Sequence, residues 1–221
     1  MPGEGRSLPA WWHPLADNSA KVRADQLSRF SPPREGSGRE SAVLILLGEG
    51  LDGASRPDVL LLERAHTLRN HAGQPAFPGG VSDPGDGGPV GTALREANEE
   101  VGLDPATVDI VTILPAIWLP PSNFVVTPVL AWWHAPHPVA AVSPTEVARV
   151  ARVPIAELVD PANRLRVRHP SGHIGPAFDV RSMLVWGFTA GLLSALLDLG
   201  GWSRPWDRAR IVELPTPRSP E

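Results

Sequence analysis

The stretch Thr92-Ala93-Leu94-Arg95-Glu96-Ala97-Asn98-Glu99-Glu100-Val101-Gly102-Leu103 decides how the rest of the chain reads. At 3.6 residues per turn, Glu96, Glu99 and Glu100 fall on one helix face, because positions three and four apart are neighbours. No Lys or Arg follows any of them at four residues, so the like charges face one another without that support. Ala93, Leu94, Ala97 and Val101 form the adjoining apolar stripe, which docks the helix on a core and fixes its acidic face. Gly102 stands where a helix C-terminus turns left-handed, so the helix ends just after the acids. Hard divalent cations take several oxygen ligands at fixed positions, and this face offers them. The plain alternative is an acidic face turned to solvent.

The residues before the helix favour the cation. Phe77-Pro78-Gly79-Gly80-Val81-Ser82-Asp83-Pro84-Gly85-Asp86-Gly87-Gly88-Pro89 runs from an expected strand through a glycine-rich loop into the helix. Glycine has no Cβ, so such a loop brings backbone close to a cation or a phosphate. A loop of this kind feeding a helix with three carboxylates points to metal-assisted phosphate chemistry.

Gly80 with Arg95-Glu96-Ala97-Asn98-Glu99-Glu100-Val101-Gly102-Leu103 resembles the Nudix box, Gly-x5-Glu-x7-Arg-Glu-U-x-Glu-Glu-x-Gly-U, where U is bulky and apolar. The second half matches except for the small Ala97 at the first U. The first half departs: Asp86 replaces Glu, and eight residues rather than seven separate it from Arg95. A second resemblance accounts for the departure. Leu61-Leu62-Glu63-Arg64, then Leu68-Arg69-Asn70-His71-Ala72-Gly73-Gln74 and Phe77-Pro78-Gly79-Gly80, is similar to the extra signature of coenzyme A pyrophosphatases. That branch also carries Asp in the loop and the longer gap. Pro144–Ile155, Asp160-Pro161-Ala162-Asn163 and Val185–Ala190 fit it too, so the resemblance spans about residues 40–200.

The resemblance implies an α/β fold, the Nudix α/β/α sandwich with a mixed sheet. It implies that Glu96, Glu99 and Glu100, with a backbone carbonyl of Gly79 or Gly80, hold Mg²⁺ or Mn²⁺. The ion neutralises pyrophosphate charge and lowers the pKa of a bound water. Arg95 is expected to orient a glutamate by a fixed ion pair, against the alternative of an inconsequential surface pair. Glu146, at a strand entrance, is the candidate for a further acid, as metal ligand or general base; an ordinary exposed Glu is the other reading. Asp83 and Asp86 are read as turn or helix caps, with an outer-shell role as the alternative. Arg64, Arg69 and His71 are the candidate substrate-binding groups, since a coenzyme A phosphate calls for cations and donors, with Arg binding bidentately. His66, His134, His137, His169 and His173 show no ligand spacing and are read as structural or solvent-facing. Of Trp132 and Trp133, alternation along a strand sends one into the core and one outward; Trp186 is read as core.

Composition narrows the classes. A chain of 221 residues suits one domain with a substantial core. The net charge of −4 leaves no basic footprint for nucleic acid. The absence of cysteine excludes disulfides, thiol catalysis and thiolate metal sites. The N-terminus lacks a basic-then-apolar leader, so a cytoplasmic location is expected. Met183–Leu199 is apolar and holds a G-x-x-x-G, but it is short for a membrane span, and a buried core helix is expected there. No membrane partner is expected, and a homodimer follows only by family analogy.

Residues 1–36 read as an N-terminal extension with a short helix over 17–30 and a Pro/Gly/Ser linker. Residues 37–205 read as the Nudix domain and 206–221 as a C-terminal tail. Within the domain, strands are expected at Ser41–Gly48, Asp58–Arg64, Gln74–Phe77, Val108–Leu114, Phe124–His134, Val147–Val153 and Arg164–His169, the first two as a hairpin. A short helix is expected from Pro154 and a closing one over Ser182–Leu199. The activity implied is metal-dependent hydrolysis of coenzyme A or a derivative to 3′,5′-ADP and 4′-phosphopantetheine. A Nudix pyrophosphatase for ADP-ribose or NADH, and a non-catalytic Nudix-fold regulator, are the competing readings.

Overall fold

The apolar run from Ser41 becomes the central strand of a mixed sheet. A computed structural model of the chain describes residues 6–27, 38–50, 57–68, 71–120 and 122–214. In chain order the helices are α1 (His13–Ser19), α2 (Ala24–Leu27), α3 (Pro89–Val101), α4 (Ile155–Leu158) and α5 (Gly187–Leu199). The first strands are β1 (Arg39–Glu49), β2 (Pro57–Arg64), β3 (Pro75–Ala76), β4 (Gly79–Val81), β5 (Val108–Ile113) and β6 (Ile117–Leu119). They are followed by β7 (Phe124–Trp133), β8 (Val147–Pro154), β9 (Arg164–Arg168), β10 (Ile174–Val180), β11 (Met183–Val185) and β12 (Ile211–Glu213).

β1 pairs antiparallel with β2, as the expected hairpin requires, and parallel with β7 from Arg39↔Phe124 to Gly48↔Trp133. The main sheet runs β3-β2-β1-β7-β5, with β4 on β1, β6 on β7 and β8 on β2. Both of its faces are covered, which is why β1 reads as a continuous apolar run rather than an alternation. Ala42, Leu44 and Leu46 pack with Ala93, Ala97 and Val101 of α3. Ile45 and Leu47 belong to the opposite core, with Trp12, Leu15 and Leu192, Leu193 and Leu196 of α5. Helix, mixed sheet and helix form the α/β/α sandwich. A second sheet, β11-β10-β9-β12, lies beside α5.

Several local readings change. The N-terminal helix begins earlier than expected, because Trp12, Leu15 and Ser19 at i, i+3 and i+7 are the buried positions. A second short helix, α2, follows; residues 28–37, with the rest of the expected helix and the linker, lie outside the described residues. The closing helix starts at Gly187, not Ser182, because Met183–Val185 pairs back on β10 across a two-residue turn. Arg181 and Ser182 both carry positive φ (52° and 58°), the mirror-image turn that matches strand twist. The segment expected as a tail contributes β12, parallel to β9, while residues 215–221 lie outside the described residues. Strands β6 and β10 were not expected either, nor was β4, where Gly79–Val81 of the expected loop pairs with β1. Among the described residues no helix is long and apolar enough to cross a membrane; α5 buries Ala190, Leu192, Leu193, Leu196 and Leu197.

Candidate active site

Helix α3 starts at Pro89, whose missing N–H and fixed φ suit a first helical turn. It ends at Gly102, φ 70°, whose N–H returns to the Ala97 and Asn98 carbonyls. Between these stops the apolar stripe is buried, and Arg95, Glu96, Glu99 and Glu100 line the side toward the glycine loop and β4.

Asp86 anchors this arrangement. Its carboxylate accepts Arg95 Nε at 2.7 Å and Nη2 at 3.1 Å, a bidentate pair, with Thr92 Oγ1 at 2.7 Å and the Asp83 N–H at 2.8 Å. Its side chain is 5% exposed. Arg95 first, then the Asp83 backbone and Thr92, hold this acid well below the usual carboxylate range. Asp86 in turn holds the Arg95 guanidinium above its ordinary range. Arg95 also donates to the Val81 carbonyl at 3.0 Å and reaches Glu96 at 3.0 Å and Glu99 at 2.9 Å. One guanidinium thus ties the loop to two of the three helix acids. Asp86 reaches the arginine across eight intervening residues. The sequence reading of Asp86 as a turn cap missed this partner; Asp83 is exposed and 3.7 Å from Arg95.

Glu100 lies elsewhere in the cluster. It is 5% exposed, and Gly79 N–H donates to its Oε2 at 3.0 Å. Burial pushes its pKa up to about 7; the Gly79 bond opposes this, the Glu96 charge adds to it, and Arg64 and Glu146 act with opposite signs. Arg64 and Glu146 therefore both lie within electrostatic reach of Glu100. Glu146 is exposed just before β8, with its carbonyl accepting the Ala65 N–H at 2.8 Å. Arg64 ends β2, and its buried Nε has no hydrogen-bond partner among the described residues. Burial also raises the Glu96 pKa, with Arg95 opposing.

The remaining candidates are placed less centrally. His71 takes the left-handed region (φ 57°) and shares a 2.8 Å hydrogen bond with Gln74 Oε1. Arg69 lies outside the described residues. His66 pairs with Glu63, His134 with Arg6, His137 with the Asp104 N–H and His169 with Ser171. His173 turns its carbonyl to the His169 N–H. Trp133 is buried on the α3 side, with Arg152 over its ring at 4.7 Å, while Trp132 packs on the opposite core. Trp186 precedes α5 and is half-buried against the second sheet.

Among the described residues no three acids or histidines stand in metal-ligating geometry. The donor chemistry nevertheless suits a hard divalent cation: carboxylate oxygens on one helix face, one of them buried with no ion pair among the described residues. Gly80 fits the same use. A Cβ there would lie 2.4 Å from the Glu96 carboxyl, so glycine lets this acid rest against the backbone. Gly80→Ala should leave the melting temperature nearly unchanged, because the clashing group is the end of a flexible side chain. Displacing Glu96 should still cost roughly tenfold in kcat/KM, about 1.4 kcal/mol. Paired melts and steady-state kinetics check this; equal loss in both would make Gly80 a folding residue only.

The profile of the NUDIX domain family matches residues 38–176. An uncharacterized Nudix hydrolase named NudL from Citrobacter koseri is 37% identical over 204 residues, covering 83% of this chain and 98% of its own. A NudL of Escherichia coli K12 is 36% identical over 190 residues, covering 80% and 94%. Among solved structures, the Nudix hydrolase RenU of M. smegmatis superposes with a TM-score of 0.53 at 17% identity, over 77% of this chain and 90% of that one. That likeness concerns the fold.

Proposed function

The chain belongs to the Nudix family, and on that premise we propose that it hydrolyses the pyrophosphate bond of coenzyme A or its derivatives, yielding 3′,5′-ADP and 4′-phosphopantetheine. The observation that carries the reading is the acid face of α3, locked by Arg95 to Asp86, with Glu100 buried within electrostatic reach of Arg64 and Glu146. Nudix hydrolases generally use divalent metal ions. Here Glu96, Glu99, Glu100 and the Gly80 carbonyl would hold Mg²⁺ or Mn²⁺, which offsets pyrophosphate charge and makes bound water acidic.

The chain's own groups supply the rest. Arg95 fixes the rotamers of Glu96 and Glu99, so little reorganisation is left for the reaction. Glu146, exposed and within electrostatic reach of Glu100, takes the proton of the attacking water in this reading. Arg64 ends its strand near the acids with a donor unspent, suited to a phosphate oxygen. Arg69 and His71 belong to the same upstream signature and are assigned to the appended nucleotide. That signature is what favours coenzyme A over ADP-ribose or NADH, because the box itself reads only the diphosphate.

Coenzyme A, ADP-ribose and NADH incubated in parallel with the protein and Mg²⁺, with products separated by chromatography, test the substrate. Coenzyme A should be consumed fastest, with 3′,5′-ADP as the adenine product. Faster turnover of ADP-ribose or NADH would move the substrate assignment. Coenzyme A binding without products would make the protein a regulator.

A further inference from the structure

A cavity of about 620 Å³ lies between β9, β10, the end of α5 and the segment that follows it, sharing no residue with the α3 face. Its wall carries Arg164, Arg166, Arg204 and Arg208 against one carboxylate, Asp198, with Trp206 among them. Four guanidiniums facing one acid leave a strongly positive concavity on a chain whose net charge is −4. None of the four is in an ion pair among the described residues. Asp198 accepts the Ser203 hydroxyl and acts on Arg164 through its charge, without a hydrogen bond to it among the described residues.

Arg164 is the informative member. It is 3% exposed, yet guanidinium stays charged in proteins, so a full cation sits in the wall. Its ring neighbours compensate in part: its Cζ lies 4.4 Å from the Phe178 centroid and 4.8 Å from that of Trp206. Nη2 donates to Ser194 Oγ at 3.1 Å, while the buried Nε has no acceptor among the described residues. A buried cation with an unspent donor is costly unless an anion joins it. Arg204 and Arg208 are exposed at the mouth, and Arg208 lies 5.8 Å from the Trp206 ring.

We propose that this cavity is a second binding site, for a small phosphorylated anion, in which Arg164 supplies the buried charge and Arg166, Arg204 and Arg208 the outer grip. Phosphate oxygens match guanidinium forks bidentately, and several arginines around one cavity select ligands with two or more negative charges. The volume falls in the range of small-molecule sites, and the site is a concavity rather than the broad stripe that a nucleic acid backbone tracks.

Calorimetric titration of the metal-stripped full chain with inorganic pyrophosphate tests the site. The native protein should bind, and Arg204→Glu with Arg208→Glu should weaken affinity tenfold or more; both residues are exposed, so folding is spared. Arg64→Ala, which removes the donor the α3 face offers to phosphate, should leave the affinity unchanged, which separates this site from that face. Quenching of tryptophan fluorescence that disappears in Trp206→Phe gives an independent readout. Three results would overturn the proposal: no binding by the native protein up to about 10 mM, equal affinity in the double variant, or loss of binding in Arg64→Ala.

Discussion

Glu99→Gln and Glu100→Gln should each lower kcat/KM for the pyrophosphate substrate by roughly 10²–10⁵-fold, about 3–7 kcal/mol of transition-state stabilisation. Glutamine keeps size and hydrogen-bonding reach while removing the charge, so the loss reports charge rather than packing. The two acids differ in setting, which sharpens the comparison. The Glu99 side chain is 56% exposed and held by Arg95, so its substitution leaves one arginine bond to rearrange. Glu100 is buried against Gly79, so its substitution neutralises a charge inside the structure. Circular dichroism should show both variants folded. Full activity in both would remove this helix face from the reaction.

The second large effect concerns stability and runs the other way. Glu100→Gln should stabilise the metal-free protein at pH 8 by up to roughly 3 kcal/mol, the free-energy equivalent of a carboxyl raised to about 7 by burial. For a chain of this size that is about 6–12 °C in melting temperature. The sign follows from linkage. A carboxyl whose folded pKa lies above its unfolded value is stabilising relative to the charged state at low pH. That contribution is complete below about 4.5 and is lost as pH rises to about 7. The native protein and the variant should therefore melt together near pH 4 and diverge toward pH 8. Glutamine still offers an oxygen to the Gly79 N–H, so the bond at that site survives. A gain of equal size at every pH would point to packing instead of a buried charge. Activity and metal-free stability are thus in conflict at one residue, as expected where a site holds charge for a purpose.

Much of this was legible in the residues because the signals were local. The helix over Pro89–Val101 follows from its apolar stripe and its closing Gly102, both legible in place, while Pro89 reads as the end of the glycine loop until the structure shows it opening the first turn. The paired apolar runs of β1 and β2 and the Trp132–Trp133 alternation were equally direct. What escaped depends on contacts distant in sequence or on unusual backbone. The turn at Arg181-Ser182 uses positive φ without Gly or Asn, so the apolar Met183–Val185 read as helix. β12 exists only because β9 offers an edge to pair with. Asp86 looked like a loop cap, since nothing local shows that a guanidinium nine residues on will return to it. The burial of Glu100 beneath Gly79 was equally hidden, and it is what distinguishes three similar glutamates.

Electron paramagnetic titration of Mn²⁺ into the purified chain tests the central claim, that these acids are assembled for a divalent ion. One ion should bind per chain at micromolar to millimolar concentration, and replacing Glu96, Glu99 and Glu100 by Gln together should abolish that binding in a folded protein. If the native chain takes up no Mn²⁺ in that range, or the triple variant binds as tightly as the native one, the acid face of α3 has some other purpose.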